Sequence, residues 1–128
     1  MTERTTVHIP GEKEHRNPIP TCVRLGNLIL PSVISGISGL PDGVKLTPEE
    51  EIERAFQRMK KIVEGAGGSL QSIGKVTVYM YDFKHRELVN KSWLKMFPDP
   101  DNRPARHCIP LPEPGLAVVS LDVIATVV

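Results

Sequence analysis

The chain has 128 residues, which suits one domain with a modest core. Hydrophobic residues make up 40% of it, so it belongs with globular rather than disordered chains. A net charge of +1 with both signs interspersed excludes the basic footprint of a nucleic-acid binder, and no apolar run approaches a membrane span.

The first six residues, Met1 to Thr6, lack the apolar segment of a secretory leader, and the expected setting is cytoplasmic and reducing. The two cysteines, Cys22 and Cys108, match no zinc or redox spacing. Four scattered histidines (His8, His15, His85 and His107) give no reason to expect a metal site.

Residues 4–9 read as a short strand closed by a Pro10-Gly11 turn. Residues 12–21 are polar and proline-rich and read as a loop. Residues 22–31 read as a hairpin with Gly26-Asn27 at its turn. Pro31 cannot donate to a ladder, so it marks an edge or a bulge. The glycine-rich run from Val33 to Gly43 reads as a loop.

Thr47, Pro48 and Glu50 form a helix start, with Thr47 as N-cap, Pro48 in the first helical position and Glu50 completing a capping box. Ile52, Ala55, Phe56, Met59, Ile62 and Val63 follow at helical spacing and predict one buried face. The glycines from Gly65 stop the helix. Residues 73–81 alternate as a strand, with Val76, Val78 and Met80 on one face and Thr77, Tyr79 and Tyr81 on the other. Asp82 is placed to cap a second helix to about Phe97, with Leu88, Val89, Trp93 and Met96 as its buried stripe.

Arg103, Arg106, His107 and Cys108 then fall within six residues. An arginine offers a planar fork of donors suited to a carboxylate, although a basic loop is more commonly just solvated. Residues 104–109 read as extended, which puts Arg106 and Cys108 on one face and Ala105, His107 and Ile109 on the other. Cys108 reads as a packed structural cysteine, because its neighbour His107 points the other way and cannot activate it.

Leu116 to Val128 reads as the last strand. Ala117, Val119, Leu121, Val123, Ala125 and Val127 make a wholly apolar face for the helices. The other face is mixed and carries Asp122, a carboxylate that needs a partner if it is buried. That second face is also largely apolar and needs a cover, for which another subunit is the simplest source. The expected architecture is α+β, a β-β-α-β-α-β-β sheet with two helices on one face, forming a single domain over residues 1–128.

In their order and spacing, several of these segments make the chain resemble the RidA/YjgF family of enamine/imine deaminases. They are Leu25-Gly26-Asn27 with its strand to Ser32, the helix end Val63-Glu-Gly-Ala-Gly-Gly68, and Lys75-Val-Thr-Val-Tyr79 with Asp82. Val89-Asn90 before an aromatic, Arg103-Pro-Ala-Arg-His-Cys108 and Leu121-Asp-Val-Ile-Ala125 complete the set, and the resemblance runs from Asn17 to Val128. It implies a chorismate-mutase-like fold assembled as a homotrimer, with the sheets as an inner barrel and a cleft at each subunit boundary. It implies hydrolysis of a small enamine or imine, of the 2-aminoacrylate type released by pyridoxal phosphate enzymes, to a keto acid and ammonia. Neither metal nor organic cofactor is implied.

By the same resemblance Arg106 is the substrate-binding arginine, the backbone of Cys108 lines the cleft, and Asn90 and Ser32 lie near it. The acidic residue of the last strand, Asp122, would orient a water. Two positions depart from the family pattern. The tyrosine of the early Gly-Pro-Tyr segment falls on Ile19, and the glutamate of the last strand is Asp122. These departures imply a differently shaped cleft. They leave room for a larger unsaturated amino acid such as 2-aminomuconate, or for a non-catalytic trimer that binds a small carboxylate or a protein. An endoribonuclease role fits poorly, because no basic stripe with interleaved aromatics is present.

Overall fold

A computed structural model describes residues 3–128; Met1 and Thr2, which open the segment read above for a leader, lie outside the described residues. The hairpin forms as its sequence dictates, from β2 (Cys22–Leu25) and β3 (Leu28–Pro31), with Leu25 opposite Leu28 and Gly26 at φ 59° in the turn. β1 (Arg4–Val7) pairs antiparallel with β2 and is shorter than expected, ending before His8.

The run expected to be all loop contains a two-residue strand, β4 (Ile34–Ser35). β3 and β4 both pair with the last strand, at Leu28–Thr126 and Ile29–Ala125, then at Ile34–Leu121 and Ser35–Ser120. They are one pairing interrupted after Pro31, whose missing N–H breaks the ladder.

α1 (Pro48–Gly65) begins with the expected box: the Thr47 hydroxyl accepts from the Glu50 N–H, and the Glu50 carboxylate accepts from the Thr47 N–H. All six residues of its expected apolar face are buried, as is Glu51. β5 (Ile73–Met80) follows. Asp82 caps a single 3₁₀ turn, Phe83–His85, rather than the helix itself. α2 (Arg86–Met96) then starts without a side-chain cap. Its buried residues are Val89, Ser92 and Trp93, while Leu88 and Met96 of the expected stripe are only partly buried. Ser92 donates to Glu53 at 2.7 Å, linking α2 to α1. Burial pushes the Glu53 carboxyl up, but hydrogen bonds from Ser92, Gln57 and Lys95 outweigh it and leave it below the usual carboxylate range.

β6 (Ala105–Pro110) runs parallel to β5, and β7 (Val119–Thr126) antiparallel to it. The sheet order is β1-β2-β3-β7-β5-β6, so β6 is an edge strand, with Pro104 before it and Pro110 as its last residue. β7 is shorter than the alternation predicts. Residues 116–118 precede it, Leu116 is 95% exposed, and the Val118 N–H donates to the buried Glu51 carboxylate at 2.5 Å. Val119, Leu121, Val123 and Ala125 are buried with Val76, Val78, Met80 and the apolar face of α1 in one core.

The architecture is α+β, a mixed sheet with two helices on one face. The opposite face carries Leu28 and Ile124, exposed by 40% and 46%, together with Leu25. Around Gly36 the packing leaves no room for a side chain, since a Cβ there would lie 1.8 Å from the Glu51 carbonyl oxygen. At Gly115 a Cβ meets nothing within 4 Å. Gly36→Ala is expected to cost about 3 kcal/mol or more of stability, and Gly115→Ala less than about 1 kcal/mol. Urea midpoints compare the two variants, and equal midpoints would contradict the packing.

Candidate functional site

The parallel register puts Arg106 opposite Val76 and Cys108 opposite Val78, both valines being fully buried beneath the helices. Arg106 and Cys108 therefore face the helix side. Arg106 meets α2 there: Nη2 donates to Asn90 Oδ1 at 2.7 Å, and the guanidinium lies 5.0 Å from the Trp93 ring centroid. Asn90 and Trp93 are three residues apart on α2, so both reach the same point. Trp93 is held in turn by edge contacts to Phe56 and Phe97, at centroid distances of 6.4 and 4.8 Å.

Arg106 Nη1 is buried and has no hydrogen-bond partner. Leaving a charged donor so costs about 1–3 kcal/mol or more. The face of Trp93 offsets part of this. A bound carboxylate would offset more, because the guanidinium fork matches its two oxygens.

A second group lies on the other side of β7. Ser32 Oγ donates to the Pro20 carbonyl at 2.7 Å, and the Ser32 N–H to the Thr21 carbonyl at 2.9 Å. Ser32 thus holds the segment carrying Ile19, which is exposed and lines a cleft of about 750 Å³ with Thr6, His8, His15 and Arg16. The other end of that loop is tied to α1. Glu12 Oε1 accepts from Arg58 Nε at 3.0 Å and Nη2 at 2.6 Å, and Lys61 Nζ lies 3.5 Å from Oε2. Arg58 Nη1 also donates to the Ser35 carbonyl, and one turn earlier Arg54 Nη1 donates to the carbonyls of Gly36 and Ser38.

Asp122 sits opposite Thr77 on the face away from the helices, half-buried, with no ion pair among the described residues. The structure thus joins Arg106 to Asn90, sets Cys108 on the same strand face, and ties Ser32 to the segment next to Ile19. It does not bring Asp122 to Arg106 within one chain, since the two lie on opposite faces of the sheet. Ser32 follows β3, three strands from β6, a separation of about 14 Å.

A family model described as endoribonuclease L-PSP matches residues 14–127. The chain belongs to this family, the RidA/YjgF family. A RutC family protein of Aquifex aeolicus is 32% identical over 96 residues, covering 72% of this chain and 77% of its own length. A 2-iminobutanoate/2-iminopropanoate deaminase of Dermatophagoides farinae is 24% identical over 129 residues, covering 99% of each chain. Among solved structures, yeast Mmf1 superposes with a TM-score of 0.86 at 24% identity, covering 98% of this chain and 100% of that one. E. coli TdcF with bound serine gives 0.83 at 19% identity, covering 95% and 98%. At these identities the structural likeness shows the fold alone.

In this RidA/YjgF chain one polar role escaped the sequence reading. Arg103, read as a solvated basic residue, donates from Nε to the Phe97 carbonyl at 2.8 Å and from Nη2 to Pro98 at 3.3 Å, closing the end of α2. Trp93, read as core, is both core and the floor beneath Arg106. The period-two rule pointed Arg106 correctly, but only the parallel pairing with β5 showed which layer it would meet.

Both cysteines are free thiols. Cys22 is fully buried, and burial pushes its thiol up, against a smaller opposing effect of the Leu30 backbone. Iodoacetamide is therefore expected to leave Cys22 unlabelled in the native protein and to label it in denaturant, as read by mass spectrometry of quenched samples. Labelling of Cys22 at the free-thiol rate without denaturant would contradict its placement.

Proposed function

We propose that the chain is a cofactor-independent imine deaminase whose site is completed by a second copy. Family membership and the full-length likeness to a deaminase support a general imine-deaminase role. One observation carries the assignment to a carboxylate-bearing substrate: the Arg106 guanidinium is fixed by Asn90 and Trp93 and still has a buried, unpartnered nitrogen.

In the proposed reaction Arg106 holds the substrate carboxylate and so fixes the imine carbon. Asp122 accepts a hydrogen bond from a water and aims it at that carbon. The water oxygen forms a C–O bond, the C=N π pair moves to nitrogen, and a proton passes from the water to that nitrogen. The C–N bond of the carbinolamine then breaks, ammonia leaves with the electron pair and a further proton, and the hydroxyl becomes the keto oxygen. Neither oxidant nor metal enters the balance.

Arg106 and Asp122 face opposite sides of one sheet, so they can share a cleft only between copies. β6 is the sheet edge, and the face holding Leu25, Leu28 and Ile124 is uncovered in one chain. Seating the edge of one copy against the open face of the next covers the apolar surface and joins the two residues. A head-to-tail contact whose rotation closes forms a ring, and a homotrimer is the proposed form.

An imino acid generated in situ by an amino-acid oxidase tests the reading through ammonia release. The wild type is expected to accelerate hydrolysis, and Arg106→Ala to lose about 100-fold in kcat/KM while sedimenting as the same trimer. Arg106→Ala and Asp122→Ala chains, each nearly inactive alone, are expected to regain about a quarter of wild-type activity when unfolded and refolded together, the share of complete sites under random assortment. No acceleration of any imine in a panel would sink the deaminase reading. Failure of the mixture to recover would sink the shared site.

A second reading is favoured by Ile19, which supplies no hydrogen bond where a hydroxyl would stand: a trimer that binds a small carboxylate without turning it over. Trp93 is the sole tryptophan, so its fluorescence reports occupancy at Arg106. A keto acid that quenches it in an Arg106-dependent manner, with no imine hydrolysed, selects this reading.

A further inference from the structure

We propose that His107 is the acid–base residue of this site, paired with Asp122 across Thr77. The inference rests on the deaminase reading and adds to it the group that moves protons.

Three side chains share one rung of the open face. Asp122 on β7 is opposite Thr77 on β5, and Thr77 is opposite His107 on β6. Directly opposed residues on neighbouring strands project from the same face. Two strand spacings put the Asp122 and His107 backbones about 10 Å apart. Their side chains span part of that gap, and Thr77 stands between them.

The neighbouring rungs supply no competing carboxylate. One carries Lys75 between Ile124 and Ala105, and the other carries Tyr79 between Ser120 and Ile109. Lys75 and Tyr79 are therefore the other titratable groups facing this rung from the chain itself. His107 is exposed, and Asp122 and Thr77 are half-buried, so the row is open to the space a second copy would close.

The chemistry has a vacancy that this row fills. Imine hydrolysis takes a proton from the attacking water and delivers one to the departing nitrogen. Arg106 does not release its proton. Ile19 has none to give. An imidazole takes and returns a proton near neutral pH better than any other side chain. In the first step His107 takes a proton from the water held by Asp122 as the C–O bond forms and passes it to the imine nitrogen, giving the neutral carbinolamine. In the second it takes the hydroxyl proton and gives it to the amine nitrogen as the C–N bond breaks, so that ammonia leaves with the electron pair and the keto oxygen forms. His107 ends in the state in which it began. The negative charge of Asp122 steadies the imidazolium within each step.

Two measurements on the assembled protein test this. The first follows the His107 ring signals by NMR, independently of turnover. Asp122→Asn is expected to move them, because it removes a charge on the same rung. Unmoved signals overturn the pairing.

The second is the pH–rate profile of imine hydrolysis. His107→Gln is expected to keep keto-acid binding by Trp93 fluorescence, lose about 100-fold in kcat, and lose the limb governed by a group near neutral pH. Added imidazole should restore part of the rate in His107→Ala. A His107→Gln profile superimposable on that of an active wild type overturns the inference and leaves the deaminase reading standing. A wild type without turnover overturns both, whatever the NMR signals do.

Discussion

β7 is paired along both edges, with β3 and β4 on one side and β5 on the other. Its alternation commits each residue to one of two unlike environments, the helix-covered core or the open face. Leu121 and Val123 go inward, and Asp122 between them must go outward. The same parity, carried through β5 into β6, sends Arg106 inward and His107 outward. A one-residue slip anywhere in this three-strand block would place charges in the core and valines on the surface. The apolar pattern therefore fixes the face on which each polar side chain stands.

The polar anchors differ in worth. The pair between Lys91 and Glu49 lies on the outer surface of the helices, where solvent and side-chain entropy leave such a contact little net value. The Glu12 carboxylate is only 8% exposed and takes two donors from Arg58, so losing either partner would strand a buried charge. Arg54 and Arg58 sit one turn apart on α1; Arg58 binds the carbonyl of Ser35 at the end of β4, and Arg54 the carbonyls of Gly36 and Ser38 after it. The segment carrying Ile19 and the loop after β4 therefore take their positions from one rigid helix.

Local chemistry was legible. The capping box, the apolar face of α1, the Gly26-Asn27 hairpin and the parity of Arg106 and Cys108 all depend on residues within a few positions of each other, and each stands where its pattern put it. What escaped was set by distant partners. Two-residue β4 has no periodicity of its own and exists through its register with β7. The apolar run at 116–118 looks like strand, yet Val118 is held by Glu51 of α1 and Leu116 is turned into solvent. Arg103 closes α2 through carbonyls that no spacing rule points to. Pattern singled out Arg106 and Asp122 as candidates. It could not say that they lie on opposite faces, because that follows from the β5–β6 and β5–β7 pairings together.

The prolines that bracket β6 also govern how the sheet can grow. An edge strand offers unpaired N–H and C=O groups to any extended chain nearby. On β6 that invitation covers only the few residues between Pro104 and Pro110, and neither proline can donate. Sheet-to-sheet polymerisation through this edge is thereby stopped after a few rungs. The apolar face and the β6 edge are therefore different kinds of surface, the first a patch of side chains and the second a short ladder of backbone closed by proline at both ends.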